Sequence, residues 1–183
     1  MISYIKGLTC FISLQSARGI DFPDVTQVIQ IGMSESREQY IHRLGRTARA
    51  GKDGKGLLVL LPFESKFLSE LKGLDVPKDE KMSASLGMPS QLELPEWMSN
   101  NFDRVKSKGN KLSTSAQLAY LAFLGFYLGQ LNRISTNSKE DVVKISNDFS
   151  KAIGLHQVPS LPQKLVTKMD LVGVSGISVD EEG

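Results

Sequence analysis

The chain has 183 residues, 40% of them hydrophobic and 23% charged, and a formal net charge of +2. This is ordinary folding material, enough for one full domain or two small ones, and its charge is too mild to argue for a nucleic-acid partner without local clustering. A single cysteine, Cys10, excludes an internal disulfide framework and any cysteine-based zinc site, and fits a reducing compartment.

The opening MISYIKGLTCFISLQS has one lysine and no small-residue cleavage pattern, and it lacks the Arg-rich amphipathic character of an organelle presequence, so no targeting signal is legible. Residues 25–31 (VTQVIQI) are rich in β-branched side chains and end at Gly32, which predicts a buried strand. A helix should follow, because Ser36-Arg37-Glu38-Gln39 fits a capping box and Tyr40, Ile41 and Leu44 then recur at helical spacing. Gly45 and Gly51 bracket its end. Residues 56–61 (GLLVLL), closed by Pro62, predict a second strand of the kind covered on both faces in α/β proteins. Phe67, Leu68 and Leu71 suit a short helix after it.

Residues 72–95 contain three prolines and scattered charges and read as a linker. Beyond it, residues 113–134, 138–153 and 162–171 carry helical periodicity, with Val142, Ile145, Phe149 and Ile153 along one predicted face. The longest apolar run, 119–128 (AYLAFLGFYL), is about half the length that a membrane-spanning helix needs, so a buried helix is expected there. Neither an internal repeat nor a low-complexity tract is present.

The chemistry concentrates in HRLGRTARAG at 42–51, which crowds Arg43, Arg46 and Arg49 into one helix-to-loop segment. Guanidinium forks suit bidentate contact with phosphate, and Gly45 and Gly51 let the backbone come close without a Cβ. An anion site is the better account than a solvated basic face, which would not need glycines between its arginines. A second element, ARGID at 17–21, stands ahead of the first predicted strand. A carboxylate beside a glycine can accept hydrogen bonds from a ribose, although alone it could equally cap a turn.

In that order, and with a strand and a capped helix between them, ARGID and HRLGRTARAG resemble motifs V and VI of DEAD-box RNA helicases. The resemblance covers roughly residues 13–71. It implies an α/β fold: a partial RecA-like (P-loop NTPase-type) second helicase domain over 1–71, a linker over 72–95, and a small all-α extension over 96–183. Arg46 and Arg49 resemble the arginines that reach across the interdomain cleft to the γ-phosphate, Arg49 in the finger role that stabilises transition-state charge. Gly19 and Asp21 resemble the motif V positions that meet the nucleotide, and Arg18 and His42 those that lock the two domains together. Ser13 stands where the family places a threonine on the RNA backbone, and Leu14 replaces the acid that normally follows it.

The cofactor implied is ATP, with Mg²⁺ held by a first RecA-like domain. That domain is itself an implied partner, beside RNA bound without sequence preference; no membrane and no metal ligand of this chain's own are implied. The 183 residues contain no Gly-x-x-x-x-Gly-Lys-Thr loop and no Asp-Glu-Ala-Asp motif. Phosphoryl transfer needs both, so ATP hydrolysis by this chain alone is not expected. The family pattern breaks off ahead of Ser13, which suits a partial product or truncated gene product.

The tail carries a narrower resemblance. Residues 119–130, DFSKAIG at 148–154 and LPQKLVTKMDLVGVSGI at 161–177 are similar to the helical extension of fungal mitochondrial DEAD-box helicases, the RNA chaperones of group I and group II intron splicing. This implies the mitochondrial matrix, with cytoplasm or nucleus as alternatives. The extension's basic tail is missing, since the chain ends on Asp180-Glu181-Glu182-Gly183. Tyr120, Phe123 and Tyr127 are expected in the core rather than as a base-stacking platform. The function implied is the C-terminal part of an ATP-dependent RNA helicase. A non-catalytic RNA-binding or interaction module is the alternative, and a DNA helicase of a related superfamily fits the motifs less well.

Overall fold

The computed structural model describes residues 25–48, 51, 53–87, 95–107, 109–136 and 138–180. They fall into two compact units that divide between Leu61 and Pro62, whereas sequence patterning puts the end of the first domain at 71.

In the first unit, β1 (Gln27–Ile31) and β2 (Lys55–Val59) pair in parallel, with Gln27 opposite Lys55 and Ile31 opposite Val59. Between them runs α1 (Arg37–Leu44). Its start is set locally: Ser36 is extended, and its hydroxyl accepts from the Gln39 N–H at 3.2 Å. The Leu44 side chain of α1 can reach β2 because Gly56 has no side chain; a Cβ there would sit 2.3 Å from Leu44 Cδ1. The expectation of strands covered on both faces is not met among the described residues. Ile29 is 49% exposed and Ile31 82%, while Leu57 to Val59 are half-buried. Gln30 faces inward instead, donating to the Tyr40 carbonyl at 3.2 Å and accepting from the Ser34 hydroxyl at 3.5 Å.

The second unit is built around α4 (Lys111–Leu128), whose Ser113, Ala116, Tyr120, Leu124 and Tyr127 form one buried stripe at three- and four-residue spacing. Asn110 caps it, its side chain accepting from the Ser113 N–H at 2.9 Å. α5 (Lys139–Ala152), capped by Ser138, packs along α4. The buried face of α5 is Val142, Val143, Ser146 and Ser150, while Ile145, Phe149 and Ile153 are only half-buried. The two serines can enter the core because their hydroxyls donate back to the carbonyls of Val142 and Asn147, each at 2.8 Å. Tyr120 and Tyr127 are core residues, as expected. Phe123 is half-buried and stacks on Phe149, with ring centres 4.2 Å apart.

The short helix expected around Phe67 is a 3-10 helix over Pro62–Leu71, burying Glu64, Phe67 and Leu71. Glu64 is fully buried and accepts from the Tyr127 hydroxyl at 2.7 Å. Burial, followed by that neighbouring carboxylate, pushes the Tyr127 phenol well above its ordinary value. Arg133 grips Glu70 with two donors, at 2.8 and 2.7 Å, and lies over the Phe67 ring. These pairs join the 3-10 helix to the α4 end of the unit. Asn147 acts similarly near the C-terminus, accepting from Tyr120 and donating to the Gly176 carbonyl.

Two further helices lie outside the stretches singled out by periodicity: α2 (Glu80–Gly87), started by the Asp79 carboxylate on the Met82 N–H at 2.9 Å, and α3 (Glu96–Lys106), which falls within the extension expected to be helical. α2 falls inside the expected linker. Its eight residues are too few for periodicity to stand out among prolines and charges. Beyond α5 come the two-residue strands β3 (Leu161–Pro162) and β4 (Val179–Asp180), paired in parallel, with α6 (Gln163–Lys168) between them. Among the described residues no helix is long and apolar enough to cross a membrane.

Candidate functional site

Four basic side chains ride on α1 and the turn that ends it: Arg37, His42, Arg43 and Arg46. The helix terminates in overlapping turns. Gly45 N–H reaches the Ile41 carbonyl at 2.8 Å, and Arg46 and Thr47 then bond back to Arg43 and Leu44, each at 3.2 Å. Tightening from four-residue to three-residue bonds places His42 and Arg46 on the same side, and Arg46 Nε donates to the His42 carbonyl at 3.4 Å. His42 is exposed; Arg43 and Arg46 are half-buried.

Partial burial lowers Arg43 below the ordinary guanidinium value, and Glu35 opposes that effect. The group keeps its charge regardless. In the first turn of α1, the Glu38 carboxyl is held below its usual range, first by its own backbone N–H and then by the Ser36 hydroxyl. His42 and Arg43 stand in the last turn of the helix, where its dipole favours cations. Such side chains offer hydrogen-bond donors to an anion with several oxygens.

The structure brings His42 and Arg46 together as described. Ser13, Arg18, Gly19, Asp21 and Arg49 lie outside the described residues. Among the described residues no group of three or more histidine, cysteine, aspartate or glutamate side chains could hold a metal ion. The donor set around Arg46 suits phosphate oxygens and not Mg²⁺, so these residues fit the nucleotide end of the implied cofactor and not its metal.

Two positions have a structural part that their sequence did not announce. The Thr47 hydroxyl donates to the Val25 carbonyl at 2.5 Å, and Thr47 is only 6% exposed. Gly54 approaches the same turn so closely that a Cβ would lie 2.3 Å from Thr47 Oγ1 and 2.6 Å from the Ala48 nitrogen. In the sequence, Gly54 sits in GKDGKG and reads only as a loop glycine.

A parallel strand pair with a helix between its strands is the repeating unit of α/β domains. Comparison with known proteins gives the family. The profile of the helicase conserved C-terminal domain matches residues 10–51. DEAD-box ATP-dependent RNA helicase 26 of Oryza sativa subsp. japonica is 41% identical over 173 residues, which is 94% of this chain and 30% of that protein. DEAD-box ATP-dependent RNA helicase 31 of Arabidopsis thaliana is 38% identical over 172 residues, 94% of this chain and 22% of that protein. A solved structure of Mss116p (NTE and C-tail double deletion) bound to ssRNA and AMP-PNP has the same fold, with a TM-score of 0.55 and 24% identity over 90% of this chain and 31% of that one. The chain belongs with the DEAD-box RNA helicases: residues 10–51 match the helicase conserved C-terminal domain, and the similarity to these relatives runs over 94% of the chain. It spans under a third of the length of these relatives.

Proposed function

We propose that this chain supplies the nucleotide-sensing arginines and a helical RNA-facing extension to an ATP-dependent RNA helicase that remodels RNA. The observation that carries the reading is the turn closing α1, where Arg43 and Arg46 stand half-buried beside exposed His42 and Arg46 Nε bonds back to the His42 carbonyl. Arg46, with Arg49 three residues on in the sequence, would offer guanidinium donors to the γ-phosphate of an ATP held chiefly by a first RecA-like domain. ATP supplies the transferable phosphoryl group; the arginines orient it and balance charge that develops during transfer. Gly19 and Asp21 would meet the nucleotide, Arg18 and His42 would hold the closed state, and Ser13 would touch the RNA backbone. The similarity of the tail to fungal mitochondrial splicing helicases supports intron splicing in the mitochondrial matrix as the setting.

The test is a chimera in which this chain replaces the corresponding region of the rice relative. Arg49→Lys keeps the charge and loses the planar fork, so RNA-stimulated kcat should fall by roughly 10³ or more, with RNA affinity in the absence of nucleotide little changed. Turnover within twofold of the parent chimera would reject the catalytic role.

A further inference from the structure

The turn that presents Arg46 is held in a backbone conformation that its own sequence does not favour. Ala48 has φ of 57°, in the left-handed region that non-glycine residues rarely occupy. Something outside the turn must therefore hold it, and two contacts do. The Thr47 hydroxyl is anchored on the Val25 carbonyl, at the entry to β1 and 22 residues away along the chain. Opposite it, the backbone at Gly54 closes against Thr47 and Ala48, at a distance where even a methyl group would overlap the Thr47 hydroxyl and the Ala48 nitrogen.

Val25 and Gly54 lead into the two strands that pair with each other, since the Lys55 N–H reaches the Thr26 carbonyl at 3.0 Å. The arginine turn is thus clamped to the end of the parallel strand pair where both strands begin.

We propose that Thr47 is a positioning residue for phosphoryl transfer. Its hydroxyl, clamped between the Val25 carbonyl and Gly54, fixes the left-handed turn at Ala48 and so aims Arg46 at the phosphate. The proposal rests on the nucleotide-sensing reading above. Nothing in the phosphate chemistry requires Thr47 to touch the nucleotide, because its donor is spent on the backbone. Its contribution is geometric, and geometry at a transferring phosphoryl group is steeply coupled to rate, since a displacement of about 1 Å can cost about a hundredfold.

The experiment uses the same chimera, with Thr47→Val, Thr47→Ser, Gly54→Ala and Arg49→Lys compared side by side. Valine matches threonine in shape and lacks the donor, so Thr47→Val should lower kcat by about ten- to a hundredfold while the KM for ATP and nucleotide-free RNA affinity stay within about twofold. Thr47→Ser keeps the donor and should recover most of the lost rate. Gly54→Ala should reduce kcat at least as far, by pushing the same turn from its other side. Thermal unfolding of each variant separates misaiming from unfolding: the expected pattern is a rate loss in Thr47→Val with an unfolding temperature close to that of Thr47→Ser. If Thr47→Val turns over within twofold of the parent while Arg49→Lys collapses, the positioning role is wrong and the nucleotide-sensing reading stands. Equal losses in the valine and serine variants would likewise overturn it, because the hydroxyl would then not be the operative group. If Arg49→Lys itself leaves turnover unchanged, the underlying reading fails and the positioning role falls with it.

Discussion

The unit before Leu61 and the unit after it solve the problem of stability differently. The helical unit encloses a continuous core: Phe67, Tyr120, Leu124, Ile134, Val142, Val143, Leu161 and Leu171 are all essentially inaccessible to water. The strand unit turns Ile29 and Ile31 outward on β1 and keeps order through backbone pairing, a capped helix and the Thr47–Gly54 clamp. The lesson is a division of labour. Among the described residues most of the packed apolar volume lies in the helical unit, while the residues with chemistry to perform sit where a few specific polar contacts set the geometry.

That contrast breaks most readily at Leu124. Leu124→Ala empties a fully buried position on the α4 stripe and should cost about 2–5 kcal/mol, read by urea unfolding of the 183-residue chain followed by circular dichroism. A cost near zero would mean that the helical unit is not the stable one.

Tyr127→Phe removes only a hydroxyl, yet it takes away the 2.7 Å donor to buried Glu64, so a loss of about 1–3 kcal/mol is expected at neutral pH. It should also change the pH profile. Folding raises the Tyr127 pKa, so the folded state holds its proton more tightly than the unfolded chain does, and the stabilisation is fully present below the ordinary tyrosine value near about 10. As pH rises beyond that point the unfolded state ionises first and stability falls. Tyr127→Phe should flatten part of this alkaline decline. Tyr120 and Tyr40, both raised by burial, contribute to what remains. An unchanged alkaline limb in the variant would show that Tyr127 does not contribute to it.

The smallest effect belongs to the strand unit. Ile31→Ser, at a position 82% exposed, should change stability by no more than about 0.5 kcal/mol in the same urea titration. A loss comparable to that of Leu124→Ala would mean that Ile31 is covered in solution and that the comparison between the units is drawn in the wrong place.

Legibility in the sequence followed the range of the interactions. The strand at β1, the cap at Ser36 and the helix to Leu44 were readable, because Ser36 and Gln39 sit three positions apart and apolar spacing is local. α5 was readable as a helix from its apolar periodicity, but its buried face was not. Ser146 and Ser150 count as polar in any pattern, and only the fold shows their hydroxyls satisfied within the helix and their Cβ atoms turned to the core. At the candidate site, the arginine and glycine pattern pointed to Arg46, and the family resemblance to His42. Thr47 stood in the same motif without a role, since its acceptor is the carbonyl of a residue 22 positions earlier.

The amino-acid sequence by itself determined the starts of α1 and α5, the positions of β1 and β2, the crowding of arginines after α1 and the family to which those arginines point. Caps, periodicity and motif spacing are all set within a few residues of one another, so no knowledge of the fold is needed to read them. The tertiary structure alone decided the pairings across long chain separations: Tyr127 with Glu64 and Arg133 with Glu70, each 63 residues apart, and Gly54 against Thr47 at the arginine turn. Each of those side chains has many possible partners of the right chemistry along the chain. Only burial, which makes an unsatisfied polar group costly and forces close backbones to dispense with a Cβ, selects one.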